Sequence, residues 1–168
     1  MPAQLIPIEA TERTIGQIFS DSYAFEIPAY QRPYAWELDQ ASDLLNDLLE
    51  ALEQQDTSGG VYFLGSIVLI KSPNEPQSKV IDGQQRLTTL TILLGILRDL
   101  TTNEEKRIDR RRYIFQKANA DLGTEDRFRL LLRPRDWPAP GSEDTKFGVT
   151  MGPEVGHAEA EVHAGVQT

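Results

Sequence analysis

The stretch KVIDGQQRLTTLTILLGILRDL, Lys79 to Leu100, changes character within a few residues. A short β-branched run, Lys79 to Ile81, ends at Asp82-Gly83, and a leucine-rich pattern with helical spacing follows at once. The expected path is strand, tight turn, long helix, with the helix apolar on most sides and therefore central. Between strand and helix stand Gln84, Gln85 and Arg86, two amides and a guanidinium at the mouth of an apolar helix. Three long polar side chains in that place need partners.

Upstream, VYFLGSIVLI (61–70) reads as a buried strand with a tight entry at Gly65. It is expected to pair antiparallel with the Lys79–Ile81 run as a hairpin, because the prolines of KSPNEPQS cannot join a ladder. Before it, Leu44, Leu45, Leu48, Leu49 and Leu52 mark the buried stripe of a helix that begins near Glu37 and ends at DTSGG. ATERTIGQIFS predicts a short helix starting near Thr11 or Glu12, with Ile15, Ile18 and Phe19 on one face. YAFEIP predicts a short strand stopped by Pro28. Downstream, NEEKRIDRRRYIFQKA predicts a helix burying Ile108, Tyr113, Ile114 and Phe115, and DRFRLLLRPRD a strand with alternating arginines. The order α, β, α, β, β, α, α, β predicts an α+β domain over residues 1–136. Residues 137–168, rich in Gly, Pro, Ala and Glu, are expected to form a disordered tail.

The 168 residues carry a net charge of -9 and no cysteine. Disulfides, thiolate catalysis and cysteine-based zinc sites are thereby excluded. The overall charge gives no nucleic-acid footprint, although five carboxylates lie in the tail and every arginine lies before it. The first twenty residues lack the basic start and apolar core of a secretory signal, and no apolar run approaches bilayer length. A soluble cytoplasmic protein without a membrane partner is expected.

A helix that opens just after Asp82-Gly83 leaves backbone N–H groups unpaired and a partial positive charge at its mouth. Gly83 lets an anion approach, and Arg86 adds a forked donor suited to phosphate. Gln84 and Gln85 can bond a ligand or hold a water, and Thr88 and Thr89 supply hydroxyls. Asp82 can cap the helix or hold a magnesium ion through water. The plainer alternative is an ordinary Asp-Gly turn with two solvent-facing glutamines, and DGQQR alone favours it. A second cluster shifts the balance: Tyr30, Gln31, Arg32, Tyr34 and Trp36 fall within seven positions beside two prolines. Arg32 can take a phosphate and the rings can stack on a base, while Trp36 is better explained as packing under the helix that follows.

IPAYQRPYAW, YFLGSIVL and VIDGQQRLTTLTILLGILRD, in that order, resemble the N-terminal domain of GmrSD-type restriction endonucleases, in the superfamily of ParB-like and sulfiredoxin-like folds. The likeness covers Thr14 to Leu100 well and reaches weakly through FRLLLRPRD. It implies a small mixed sheet against leucine-rich helices, and a module of phage defence that binds and hydrolyses nucleotide and acts on modified DNA. It places the nucleotide on Asp82, Gly83, Gln84, Gln85 and Arg86, with Tyr30, Gln31 and Arg32 as the facing wall that contacts phosphate or senses a DNA modification. An NTP with Mg²⁺ is the ligand expected there, with Thr88 and Thr89 alongside. Gln84, Gln85 and Arg86 are the expected catalytic groups. Tyr30 and Tyr34 would sense the DNA modification; Arg127, Arg129, Arg133 and Arg135, alternating along the last strand, would touch DNA or form a plain solvated strand face. Family members usually add a nuclease module with a histidine-centred metal site, but the two histidines here, His157 and His163, both lie in the tail. Cleavage is therefore expected from a separate nuclease chain, or the chain is truncated. Two other readings stand beside the nucleotide module: a non-catalytic DNA-binding sensor, and an inactive remnant.

Overall fold

Strand β3 (Gln77–Asp82) runs through the interior of a four-stranded sheet. Its neighbours are β2 (Val68–Lys71) on one side and β1 (Ala24–Glu26) on the other, with β6 (Leu130–Leu131) beyond β1. β2 runs antiparallel to β3, as the predicted hairpin requires, whereas β1 runs parallel to both β3 and β6. Parallel neighbours need a long crossover, and helix α2 (Leu38–Ser58) lies in the connection from β1 to β2 and β3. β3 alternates with period two: Ser78 and Val80 are buried, Gln77 and Lys79 exposed. The computed structural model describes residues 8–58, 61–120 and 124–132, so the expected tail and its boundary lie outside the described residues.

The core gathers Phe19, Phe25, Ile27, Leu44, Val80, Leu87, Leu90 and Leu130. Each such side chain contributes about 1.5–3 kcal/mol by leaving water. Phe19 comes from just beyond α1 (Ile15–Ile18), which is closed at its start by a reciprocal capping box between Thr14 and Gln17. Leu87 and Leu90 come from α3 (Gln84–Asp99), which has eight buried residues and is the central helix the sequence predicts. A fourth helix, α4 (Glu104–Arg111), is capped by Asn103, with acidic residues in its first turn and arginines in its last. Two short strands, β4 (Phe115–Gln116) and β5 (Arg127–Phe128), form a separate antiparallel pair. The protein is an α+β fold with a small mixed sheet, as predicted. No helix among the described residues is long and apolar enough to cross a membrane.

Several local expectations fail. Of the leucine stripe on α2, Leu44 is buried and Leu48 partly buried, while Leu45, Leu49 and Leu52 are exposed. The run 61–70 is not one buried strand. Gly65 takes a left-handed turn at φ 101°, only Val68–Lys71 pairs, and as an edge strand it exposes Val68 and Ile70. The predicted fourth helix stops at Arg111. Ile108 is exposed, while Ile114 is buried in the turn that leads into β4. Arg129 does not lie on a solvated strand face. Its N–H donates to the Ile114 carbonyl at 3.0 Å, its own carbonyl accepts from Phe25 at 2.7 Å, and its side chain is buried.

Candidate functional site

The turn from β3 into α3 is made by Gly83, at φ 90° and ψ 7°. A Cβ there would stand 3.0 Å from Ile67 Cγ1 and 3.2 Å from the Ile67 backbone, so glycine is required by both torsion and space. The Gly83 carbonyl accepts the Leu87 N–H at 3.0 Å, starting the helix. Asp82 does not cap α3. Its Oδ1 accepts the N–H of Gly83 at 2.8 Å, and no side chain closes the helix start. The first-turn N–H groups and the positive end of the helix dipole are left open at the mouth.

The two glutamines have different tasks. Residues 28–36 carry Pro28 and Pro33 and form no regular element, so their backbone groups need partners from elsewhere. Gln85 supplies three: its Oε1 accepts the N–H groups of Ala35 at 2.8 Å and Trp36 at 3.1 Å, and its Nε2 donates to the Pro33 carbonyl at 3.1 Å. Gln31 fastens the other end, donating from Nε2 to the Ile81 carbonyl at 2.8 Å. The Tyr34 hydroxyl lies 3.0 Å from Thr89 Oγ1, which itself donates to the Gln85 carbonyl. Gln85, Gln31, Tyr34 and Thr89 thus hold the loop to the β3–α3 corner.

Gln84 is only half committed. Its Nε2 donates to the Arg32 carbonyl at 2.9 Å, which fixes the amide orientation, while its Oε1 is buried with no partner among the described residues. One helical turn on, Thr88 Oγ1 is likewise buried and unpartnered. An unmet buried polar group costs about 1–3 kcal/mol, and two such groups at i and i+4 on one helix are what a ligand would satisfy. Arg32 itself is exposed, as is Tyr30, so their side chains are available to solvent at this loop.

Arg86 turns the other way. Its Nη1 donates to the Ser66 carbonyl at 3.2 Å, and its guanidinium lies flat against Gly65, where a Cβ would come within 2.8 Å. It borders a cavity of about 410 Å³ together with Trp36, Gln40, Asp43, Asp47 and Tyr62. The Tyr62 hydroxyl donates to Asp47 Oδ2 at 2.8 Å. That hydrogen bond, ahead of burial, holds the phenol above its ordinary pKa, while the nearby Arg86 charge pulls it down. Asp43 and Asp47, one turn apart on α2, and the Tyr62 strap were absent from the sequence expectation. Their signal was a pair of acids at i, i+4 within the leucine run.

Of the other predicted groups, Arg127 donates from Nε to Gln116 Oε1 at 2.5 Å. Burial first, then the charge of Arg129, lowers its pKa. Arg129 is engaged by Asp21 and the Arg112 carbonyl. Neither side chain sits at the α3 mouth, and Arg133 and Arg135 lie outside the described residues. No group of three or more metal-ligating side chains occurs among the described residues.

The family model described as GmrSD restriction endonuclease, N-terminal domain, matches residues 15–141. The chain belongs to that family. The match spans every element from α1 to β6, including the loop, the edge strand and the β3–α3 corner that build the site. Membership in the GmrSD N-terminal family makes the protein a component of a restriction system. No curated protein matches the chain.

Proposed function

We propose that this GmrSD N-terminal domain binds and hydrolyses a nucleoside triphosphate at the mouth of α3, and that hydrolysis regulates restriction of modified DNA in phage defence. The observation that carries the reading is the open helix start at Gly83 beside two buried, unpartnered polar atoms, Gln84 Oε1 and Thr88 Oγ1. The helix dipole and first-turn N–H groups favour a phosphate there. Arg32, exposed on the facing loop, and Arg86, one residue past the glutamines, supply positive charge. Trp36 presents a ring beside the larger cavity, where Asp43 and Asp47 can accept from a base or ribose but repel phosphate. The polyphosphate therefore belongs on the α3 side and the nucleoside toward α2. A ParB-like or sulfiredoxin-like ancestry of the fold belongs to the same proposal.

Magnesium fits as an ion carried by the phosphates rather than as a resident of the protein. Asp82 holds the Gly83 N–H through Oδ1 and has no partner for Oδ2 among the described residues, and a single carboxylate plus phosphate oxygens is a usual magnesium set. When bound, the ion would neutralise phosphate charge. The chain's own residues position and stabilise. Gln84 Oε1 accepts a hydrogen bond from the attacking water, whose oxygen forms the new bond to the γ-phosphorus as the bond to the leaving diphosphate breaks, and the water's proton passes to an oxygen of the phosphate product. Arg32 balances charge on the phosphoryl oxygens, while Arg86, turned toward the α2 cavity, offsets the Asp43 and Asp47 charge there. Gln85 acts through the loop, since its amide is already engaged at both ends. Tyr30, exposed at the loop tip, is the group left to meet modified DNA. Strand cleavage falls to a separate nuclease chain or module.

Equilibrium binding of each of the four NTPs tests the reading. Binding that falls about tenfold or more in Arg32→Ala supports it, because the exposed Arg32 side chain has no hydrogen-bond or ion-pair partner among the described residues and the variant keeps the carbonyl that holds Gln84. Equal binding by wild type and by both Arg32→Ala and Gln84→Met would refute it.

A further inference from the structure

A second cluster of donors lies away from the α3 mouth, between α1 and the β5–β6 corner. Arg129 is only 4% exposed, and two of its three nitrogens are engaged. Nε donates to the Arg112 carbonyl at 2.5 Å and Nη2 to Asp21 Oδ1 at 2.8 Å. Nη1 is buried and has no partner among the described residues. A charged donor left without an acceptor is among the costlier states of a folded chain. Arg129 also lines a cavity of about 250 Å³ together with Gly16, Ser20, Asp21, Arg112 and Tyr113. That volume far exceeds the roughly 10–15 Å³ needed by one water.

The lining is rich in donors. Arg112 donates from Nη2 to the Tyr113 hydroxyl oxygen at 3.1 Å, so the Tyr113 proton remains free to donate in turn. Asp21 is the one carboxylate on the lining among the described residues. Beside it Asp109 pairs with Arg112 Nη1 at 3.1 Å, at side chains 58% and 61% exposed where solvent screens the pair. Asp21 is already spent on Arg129, and its side chain is 68% exposed, so solvent screens it. We propose that this cavity is a second, separate anion site that takes one phosphate group on Arg129 Nη1, the Tyr113 hydroxyl and Arg112. The group comes either from inorganic phosphate or from the 5′ end of a nucleic-acid strand.

The test is calorimetric titration of the full chain with inorganic phosphate at constant ionic strength, against chloride. A Cβ at Gly16 would stand 3.9 Å from Tyr113 Cε1, an ordinary contact, so Gly16→Leu fills the cavity while sparing Arg129. Arg112→Gln, at a side chain 61% exposed, removes one charge without disturbing the core. A saturable phosphate site that is weakened about tenfold or more in both variants, and that is still present in Arg32→Ala where the α3 mouth is disabled, is the expected result. If Gly16→Leu does not fold by circular dichroism, Arg112→Gln decides alone. A phosphorylated oligonucleotide that competes where its unphosphorylated twin does not identifies a strand end, and failure of both to compete identifies free phosphate. No saturable binding overturns the proposal. Binding lost in Arg32→Ala but kept in Gly16→Leu also overturns it, by assigning the anion to α3.

Discussion

Replacing Gln85 by alanine removes the clamp on the proline-interrupted loop. Three hydrogen bonds are lost at once, to the N–H groups of Ala35 and Trp36 and to the Pro33 carbonyl. Each is worth about 0.5–1.5 kcal/mol net, so the plain sum spans roughly 1.5–4.5 kcal/mol. Pro33 and Ala35 are exposed, and water can take over part of what the amide supplied. The expected loss is about 2–3 kcal/mol, which for a chain of this size lowers Tm by roughly 4–12 °C. Urea unfolding with an unchanged m-value measures it. Gln85→Leu is the companion variant, because it restores volume but no hydrogen bond, and it should remain within about 1 kcal/mol of Gln85→Ala. A Gln85→Leu protein as stable as wild type would refute the clamp and leave Gln85 as a packing residue.

Two glycines should respond unequally to alanine. At Gly83 the new Cβ meets the Ile67 backbone at 3.2 Å, which cannot yield, so Gly83→Ala should cost about 2–3 kcal/mol in urea unfolding. At Gly65 it meets the end of a flexible arginine, and Gly65→Ala should cost about 1–2 kcal/mol while displacing Arg86 from Ser66. The Tyr62 phenol is held above the ordinary pKa of 10.0 by its bond to Asp47. Because the folded pKa lies above the unfolded one, this contribution to stability is fully present below pH 10.0 and is lost as pH rises through the folded value. Ultraviolet titration of wild type against Tyr62→Phe should reveal one tyrosine ionising late, and an ordinary pKa for it would break the assignment.

Much of this fold was legible from local pattern. Strand, Asp-Gly turn and leucine-rich helix follow from a switch in hydrophobic period that no tertiary context overrides, and the β2–β3 hairpin follows from two apolar runs around a proline loop. Contacts distant in sequence left no such trace. Parallel pairing of β1 with β3 and β6 joins segments about fifty and a hundred residues apart, and nothing in AFE or LL announces it. Equally hidden was how much of the α2 leucine stripe meets the core: Leu44 is buried, whereas Leu45, Leu49 and Leu52, expected inside, are exposed. At the site, residue types were readable but their division of labour was not. Gln84 and Gln85 are the same residue at adjacent positions, and 100° of helix rotation sets one beside the Arg32 carbonyl and the other into the Ala35–Trp36 backbone. Arg129 was misplaced because alternation suggests a solvated face, whereas the single residue between β5 and β6 crosses the interior.

Phosphate release from NTPs with Mg²⁺ tests the central claim most directly, comparing wild type with Arg32→Ala and Gln84→Met, each confirmed as folded. The account predicts turnover in the wild type that falls about tenfold or more in each variant, without a matching loss of stability in Arg32→Ala. A well-folded wild type without turnover, or with turnover untouched by both substitutions, would contradict it.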